Sequence, residues 1–149
     1  MFSTLVASTP WPEQPGSRSA LGPCPGTATA MAVAELANEQ ALLVVVVPSS
    51  ASAAALEREL PLFSAADLNI LTLPDWETLP YDNFSPHQDI VSERLSTFHQ
   101  LKEITTGVLI VPITTLMQRT PPVHYVAGNS LVLDVGQALD SKPLLRTSL

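Results

Sequence analysis

Residues 73–101 read LPDWETLPYDNFSPHQDIVSERLSTFHQL, and the fold is predicted outward from this stretch. Its first half has no sustained hydrophobic period. Pro74 and Pro80 remove backbone donors there and favour an extended backbone in the residues before them. We therefore predict an ordered loop that leaves a strand and is held by aromatic side chains rather than by ladder hydrogen bonds.

The second half of the stretch predicts a helix. Ser85 is a favourable N-cap, Pro86 suits the first helical position, and Gln88 completes a capping box. Asp89 lies near the amino end, where the helix dipole favours negative charge. Apolar residues recur at helical spacing beyond it and define one buried face: Val91, Leu95, Phe98 and Leu101.

Three aliphatic runs predict strands at residues 41–47, 69–73 and 107–111. The first, ALLVVVV, and the third, GVLIV, are continuous and rich in β-branched residues. Runs of this kind are typical of parallel sheets that are covered on both faces.

Helices are predicted between the strands, at residues 27–38, at residues 53–60 with a serine cap, and from Ser85 onward, with a short helical segment at 114–119. The alternation predicts an α/β fold, a three-layer doubly wound parallel sheet with right-handed crossovers. Loops at the carboxyl ends of such strands line one edge of the sheet. The expected loops are those at residues 48–52, 74–84 and 112–115.

The turn before the first helix has the position of a phosphate loop. A working loop has the form G-x-x-x-x-G-K-[ST]. When the motif is aligned from Gly22, Thr27 occupies the position of the second glycine, although Gly26 precedes it, and Ala28 occupies the position of the lysine. Only Thr29 matches the motif. We therefore predict a degenerate P-loop of a helicase RecA-like half-domain that holds no cofactor. The alternative is a small nucleotide- or phosphate-binding α/β enzyme that uses residues 22–29.

Three segments are expected along the chain. Residues 1–20 are rich in Ser, Thr and Pro and predict a flexible arm. Residues 21–122 are expected to form the α/β domain, which the family resemblance given below implies to be helicase-like. Residues 123–149 differ in pattern from the residues before them, and the family resemblance given below implies that they begin a second domain that is truncated. They predict strands at 124–127 and 130–135 and a helix that starts near residue 141.

The composition of the chain argues against DNA binding by this chain alone, a membrane span and secretion. The chain has 149 residues, 46% of them hydrophobic, and a formal net charge of −7. Its seven basic residues are scattered singly, so we expect poor binding to DNA by this chain alone. Cys24 is the only cysteine, no apolar run approaches the ~20 residues of a membrane span, and no signal peptide is recognisable. These features predict a cytoplasmic location.

The sequence offers only weak candidates for a catalytic or metal-binding site. His87, Asp89 and Glu93 lack the spacing of a zinc site. Ser85, His87 and Asp89 lack the G-x-S-x-G turn of a hydrolase, and a lone Cys24 is more typical of packing than of a thiol enzyme. We expect no catalytic residue and no metal in this chain.

A family resemblance rests on two segments. Residues 73–95 closely resemble a signature near the amino terminus of the bacterial transcription-repair coupling factor (Mfd), and residues 107–119, GVLIVPITTLMQR, resemble the segment that follows it. The resemblance extends from about residue 21 to residue 149. It implies a UvrB-like module related to helicase motors but without motor activity. The signature residues, which are also possible interaction residues, are Asp75, Trp76, Tyr81, Asp82, Phe84, His87, Asp89, Glu93 and Arg94.

The resemblance also implies a role. Proteins of this family displace stalled RNA polymerase at DNA lesions with an ATP-driven, Mg-dependent translocase elsewhere in the chain. They recruit UvrA through the second domain, and contact RNA polymerase and DNA through other domains. This segment is expected to be a non-catalytic scaffold, and no UvrA-contacting residue is expected before residue 149.

The aromatic residues Trp76, Tyr81 and Phe84 have two interpretations. The related UvrB carries tyrosines and a DNA-clasping hairpin in the equivalent region, where rings can stack on bases. Here only eight residues separate Trp76 from Ser85, and basic residues are absent between them. We therefore predict that the rings pack within the domain, with a protein or DNA contact as the alternative.

Overall fold

The computed structural model describes residues 14–20, 22–39, 42–64, 67–78 and 81–129. Helices and strands alternate along them. In chain order the elements are α1 (Ala28–Glu39), β1 (Leu42–Val47), α2 (Ser50–Glu59), a 3-10 turn (Leu60–Leu62), β2 (Ile70–Thr72), α3 (Gln88–Glu103), β3 (Gly107–Pro112), α4 (Ile113–Leu116) and α5 (Val123–Asn129).

The three strands form one parallel sheet in the order β1-β3-β2. In the register, Leu42 pairs with Gly107 and Val47 with Pro112 on one side of β3, and Ile70 pairs with Val108 on the other. The prediction that the three aliphatic runs pair as parallel strands is confirmed. The structure is α/β, with a small sheet whose central strand is the last in sequence among the described strands.

One face of the sheet, the two-helix face, is covered by α1 and α2. Its core contains small residues of α1 with Leu56 of α2 and Leu60 of the turn, packed on Val108 and Ile110 of β3. Ala30 and Ala34 are fully buried, which lets α1 approach the sheet closely. The predicted helices at 27–38 and 53–60 are thus confirmed, and Ser49 caps α2 by accepting the N–H of Ser52 at 3.2 Å.

The opposite face, the one-helix face, is covered by α3. Phe98 and Leu101 pack there on Leu73, Leu109 and Val111. β3 is buried along its whole length, as predicted. The expectation that β1 is covered on both faces is wrong, because α3 packs over residues of β2 and β3. Alternate residues of β1 are therefore exposed: Leu42 (37%), Val44 (51%) and Val46 (46%).

The start of α3 differs from the prediction. The helix begins at Gln88, its N-cap is His87, and His87 Nδ1 accepts the backbone N–H of Asp89 at 3.3 Å. Ser85 is therefore not the cap, and Pro86 precedes the cap rather than opening the helix. An imidazole acceptor two residues before Asp89 satisfies a free N–H that the capping box assigns to serine.

Two other predicted elements change. Residues 124–127 were expected as a strand, but they lie within helix α5. That helix follows Pro121 and Pro122, and the N–H groups of Tyr125 and Val126 donate to the carbonyl oxygen of Pro122 at 3.0 and 3.2 Å. The short helical segment after β3 spans Ile113–Leu116 rather than 114–119.

Some expectations lie outside the described residues. These are the strand at 130–135, the helix near 141 and the first thirteen residues of the amino-terminal arm. Residues 14–20 of the arm are exposed. Within the described residues, no helix is long and apolar enough to cross a membrane.

Candidate functional site

The loop that follows β2 is anchored by a buried arginine from α3. Arg94 is only 1% exposed. Its Nη1 donates to the carbonyl oxygen of Pro74, and its Cζ lies 4.2 Å from the centroid of the Trp76 ring. The same Cζ atom lies 6.0 Å from the centroid of the Phe98 ring. One arginine therefore fixes the beginning of the loop, through a charge-assisted hydrogen bond and a cation–π contact.

Burial of Arg94 has an electrostatic cost. Burial lowers the pKa of the guanidinium, and the nearby Asp75 carboxylate opposes this shift. The Nε and Nη2 atoms are buried and have no hydrogen-bond partner within the part of the chain that the structure describes. The carbonyl oxygen of Pro74, the rings of Trp76 and Phe98 and the Asp75 carboxylate are thus the groups that compensate this cost.

Asp75 joins the loop to the segment that follows β3. Its Oδ1 accepts the backbone N–H of Trp76 at 2.7 Å and Nε2 of Gln118 at 2.8 Å, and its Oδ2 accepts the hydroxyl of Thr114 at 2.5 Å. The hydrogen bond from Thr114 is the largest influence on this carboxyl and lowers its pKa; burial opposes that, and Gln118, Trp76 and Arg94 lower it further. Three loops were predicted to meet at this edge of the sheet, and this contact confirms the meeting of two of them, 74–84 and 112–115.

A second buried residue of α3 ties the helix to β2. Thr97 is 5% exposed, and its Oγ1 lies 3.1 Å from the carbonyl oxygen of Thr72 and 3.0 Å from that of Glu93. Thr97 follows Arg94 by one helical turn, so two polar residues contact the end of β2 and the start of the loop. These two contacts fix the position of α3 against the sheet.

The three aromatic residues behave differently. Trp76 is half-buried against Arg94, as the packing interpretation predicts. That interpretation is wrong for Tyr81 and Phe84, whose side chains are 102% and 82% exposed. Glu77 and Tyr81 have φ angles of 56° and 79°, so two non-glycine residues in the left-handed region shape the loop. Residues 79 and 80 lie outside the described part.

The charged signature residues are not gathered into one site. Nδ1 of His87 lies 3.2 Å from Oδ2 of Asp89, and both side chains are exposed. Arg94 turns inward to Pro74 and Trp76. Glu93 and Asp82 are exposed. No three His, Cys, Asp or Glu residues come together as metal ligands in the described ranges.

The turn before α1 shows no phosphate-loop framework in the described residues. Residues 14–20 and 22–27 include no strand, whereas a P-loop connects a strand to its helix. Gly26 has a φ of 58°, and the hydroxyl of Thr29 lies 3.5 Å from the carbonyl oxygen of Cys24. Gly22 and Thr27 are exposed, and Ala28 opens the helix.

A separate cleft of about 300 Å³ lies between the carboxyl-terminal half of α3 and α5. The ring of Phe98, which lies beside the Arg94 guanidinium, also lines this cleft, so the cleft and the anchored loop share one residue of α3. The cleft is mostly apolar. Its lining residues are Phe98, Leu101, Lys102, Thr120, Pro121, Val123 and Val126.

Sequence reasoning missed Thr97, Thr114 and Gln118. Thr97 and Arg94 both lie on the helix face defined by Val91 and Phe98, so a polar interruption of an apolar face was the available signal. No local pattern marks Thr114 or Gln118, because their partner Asp75 lies 39 and 43 residues away.

Comparison with known proteins gives a consistent result. The chain is 47% identical over 139 residues to the transcription-repair-coupling factor of Escherichia coli, which covers 93% of this chain and 12% of that protein. It is 43% identical over 129 residues to the transcription-repair-coupling factor of Haemophilus influenzae, which covers 86% of this chain and 11% of that protein. No protein-family model matches the chain.

A further relative has the same name. The transcription-repair-coupling factor of Rickettsia prowazekii is 34% identical over 73 residues, or 48% of this chain. The chain spans about an eighth of the length of the first two relatives. Over the aligned residues, the chain belongs to the transcription-repair coupling factor family.

Proposed function

We propose that this chain is a non-catalytic scaffold segment of a transcription-repair coupling factor. Residues 21–122 form a degenerate helicase-like α/β domain, and residues 123–149 begin the second domain. The observation that supports loss of nucleotide chemistry is in the sequence: counted from Gly22, Ala28 occupies the position at which a working P-loop has its lysine. Without that lysine, the charge of the terminal phosphates has no fixed counter-charge.

The scaffold role fits the network around Asp75 and Arg94. Both oxygens of the Asp75 carboxylate accept hydrogen bonds from within the chain, and Arg94 is buried. Groups used in this way stabilise the carboxyl edge of the sheet instead of binding a substrate. In the whole factor, an ATP-driven translocase displaces stalled RNA polymerase, and the second domain recruits UvrA. This segment positions that second domain.

Nucleotide titration tests the non-catalytic part. We expect the 149-residue chain to show no saturable binding of Mg-ATP in calorimetry, because Ala28 provides no charge. Saturable binding that is abolished by Thr29→Ala, but kept by Thr120→Ala as the matched exposed control, supports the nucleotide-binding enzyme instead.

A domain exchange tests the role in repair. In the exchange protein, this chain replaces the matching segment of the Escherichia coli coupling factor. We expect the exchange protein to displace stalled RNA polymerase and to retain UvrA in a pull-down. The 149-residue chain alone is expected to retain no UvrA. Failure of the exchange protein in both assays, with the parent factor active, contradicts the proposal.

A further inference from the structure

The two outer strands of the described sheet differ in how their free edges are protected. β2 spans only three residues, Ile70–Thr72, and Pro74 follows it closely. The hydroxyl of Thr97 donates to the carbonyl oxygen of Thr72, so the end of β2 is also tied to α3. Short strands and nearby prolines are among the features by which proteins block an edge. The edge of β2 therefore offers little backbone for pairing.

β1 lacks these protective features. It spans six residues, Leu42–Val47, and all six pair with β3 in one continuous register, so the strand contains no bulge. Its sequence, LLVVVV, contains no charged residue and no proline. One side of β1 is bonded to β3, and within the described sheet no strand lies on its other side. The backbone groups on that outer side can therefore accept a further strand.

The side chains of β1 require a partner strand that is apolar on both faces of the sheet. Leu42, Val44 and Val46 lie on the one-helix face and are exposed. Leu43 and Val45 lie on the two-helix face and are only partly buried. Side chains that are opposite each other on paired strands are in contact, so the added strand has to be apolar at every position. Among the described strands, β1 itself has both this composition and a free six-residue edge.

We propose that two copies of this chain form a dimer in which their β1 strands pair antiparallel. A two-fold axis perpendicular to the sheet relates the copies, keeps their one-helix faces on the same side and joins the two three-stranded sheets into one. A register centred on Val44 places Val44 opposite Val44 of the second copy, and Leu42 opposite Val46. Each exposed side chain of β1 then gains an aliphatic neighbour. The inference does not depend on the proposed scaffold function.

The size and the charge of the interface determine the strength of the dimer. One pair of six-residue strands buries less surface than the about 1,200 Å² at the lower limit of stable interfaces, so we expect a weak dimer that dissociates on dilution. Each copy has a formal charge of −7, and like charges oppose association. Raising the salt concentration is therefore expected to strengthen the dimer, because salt screens this repulsion.

Sedimentation equilibrium of the 149-residue chain at increasing concentrations tests the dimer. The apparent mass is expected to rise from the monomer value of 15.9 kDa toward twice that value. Val46→Lys is expected to raise the dissociation constant roughly tenfold or more, because the two-fold axis brings two lysines into each interface. Leu62→Lys, at a site that is 75% exposed on the turn after α2, is the matched control and is expected to leave the dissociation constant unchanged.

Three results overturn the proposal. A chain that stays monomeric at every concentration shows that β1 is covered by another part of the same chain or stays unpaired. A dimer that Val46→Lys leaves unchanged shows that the contact lies elsewhere on the molecule. A mass that continues to grow beyond the dimer contradicts a two-fold pairing, which uses the β1 edge of both copies. Urea unfolding of Val46→Lys at low concentration, expected to match that of the parent chain, shows that a weaker dimer does not reflect a loss of folding.

Cysteine cross-linking tests the register independently. In a chain that carries Cys24→Ser, the variant Val44→Cys is expected to form a disulfide-linked dimer on mild oxidation. Opposite Cα atoms of an antiparallel pair lie about 4.5–5.5 Å apart, within the reach of a disulfide. Leu42→Cys is the matched control and is expected to cross-link far more slowly, because the two Leu42 positions are about 13 Å apart along the strands in this register. Equal cross-linking of the two variants contradicts the proposed pairing.

Discussion

The two faces of the sheet differ in how completely they are covered. The two-helix face has a continuous core in which Leu60 and Ile110 are fully buried. The one-helix face is covered by α3, leaves Val44 and Val46 exposed, and contains the buried charge of Arg94. More apolar side chains are buried on the two-helix face than on the one-helix face, so we expect the first face to contribute more to the folding free energy. The second positions a loop.

The largest expected effect is on the two-helix face. Ile110→Ala removes a fully buried side chain and is expected to lower the free energy of unfolding by about 2–5 kcal/mol. Val44→Ala, on the one-helix face, is the matched control and is expected to cost well under about 1 kcal/mol. Urea unfolding of both variants measures the difference. Equal losses contradict the unequal roles of the two faces.

Substitution of Gly107 affects the strand that both faces share. Gly107 has a φ of 143°, and a Cβ added there would lie 2.5 Å from the carbonyl oxygen of Asn69. We expect Gly107→Ala to lower the free energy of unfolding by about 1–3 kcal/mol, since this backbone conformation suits glycine alone. Thermal unfolding measures the loss, and Gly22→Ala, at a site with open space around it, is the control. A tolerated alanine at Gly107 contradicts the close approach of β2 to β3.

Arg94 tests whether the one-helix face contributes through its loop. Arg94→Ala removes the contacts to Pro74 and Trp76, and we expect it to lower the free energy of unfolding by about 1–3 kcal/mol. Arg94→Lys is expected to recover only part of this loss, because a lysine ammonium lacks the planar stacking surface. A double-mutant cycle with Trp76→Leu isolates the cation–π contact. Additive losses in that cycle contradict a direct coupling of the two side chains.

The smallest expected effect depends on pH. Because hydrogen bonds hold the pKa of Asp75 below its usual value in the folded chain, its contribution is present above the unfolded pKa of about 3.9. It is lost as the pH falls through the lower folded value. Asp75→Asn is therefore expected to destabilise the chain at neutral pH. The variant is also expected to lose less stability than the parent chain when the pH is lowered. Chemical unfolding at several pH values from neutral to strongly acidic measures how the free energy of unfolding depends on pH in the parent chain and in the variant. The same pH dependence in both contradicts the role of the carboxylate.

The fold was predictable where local pattern and burial agree. The three aliphatic runs predicted the parallel strands, and Ser49 was among the serines expected to cap α2. The central position of β3 was not predictable, because strand order depends on contacts between distant segments. The exposure of β1 on one face was missed for a related reason: a continuous aliphatic run does not show how many helices cover it.

The errors at helix ends have local causes. Two possible caps, Ser85 and His87, stand two residues apart, and sequence rules favour serine. Residues 124–127 were predicted as a strand, but the carbonyl oxygen of Pro122 accepts the N–H groups of Tyr125 and Val126 and begins helix α5 instead. The network of Asp75 was only partly predictable: the meeting of the two loops follows from parallel topology, whereas the choice of Thr114 as donor does not.

The open edge of β1 has a practical consequence for handling the purified chain. In the described sheet β1 is an outer strand, and its exposed Leu42, Val44 and Val46 present a flat aliphatic stripe beside backbone groups that can pair with another strand. Such edges promote self-association at high concentration. Val44→Lys is expected to suppress concentration-dependent light scattering while leaving the far-ultraviolet circular dichroism unchanged.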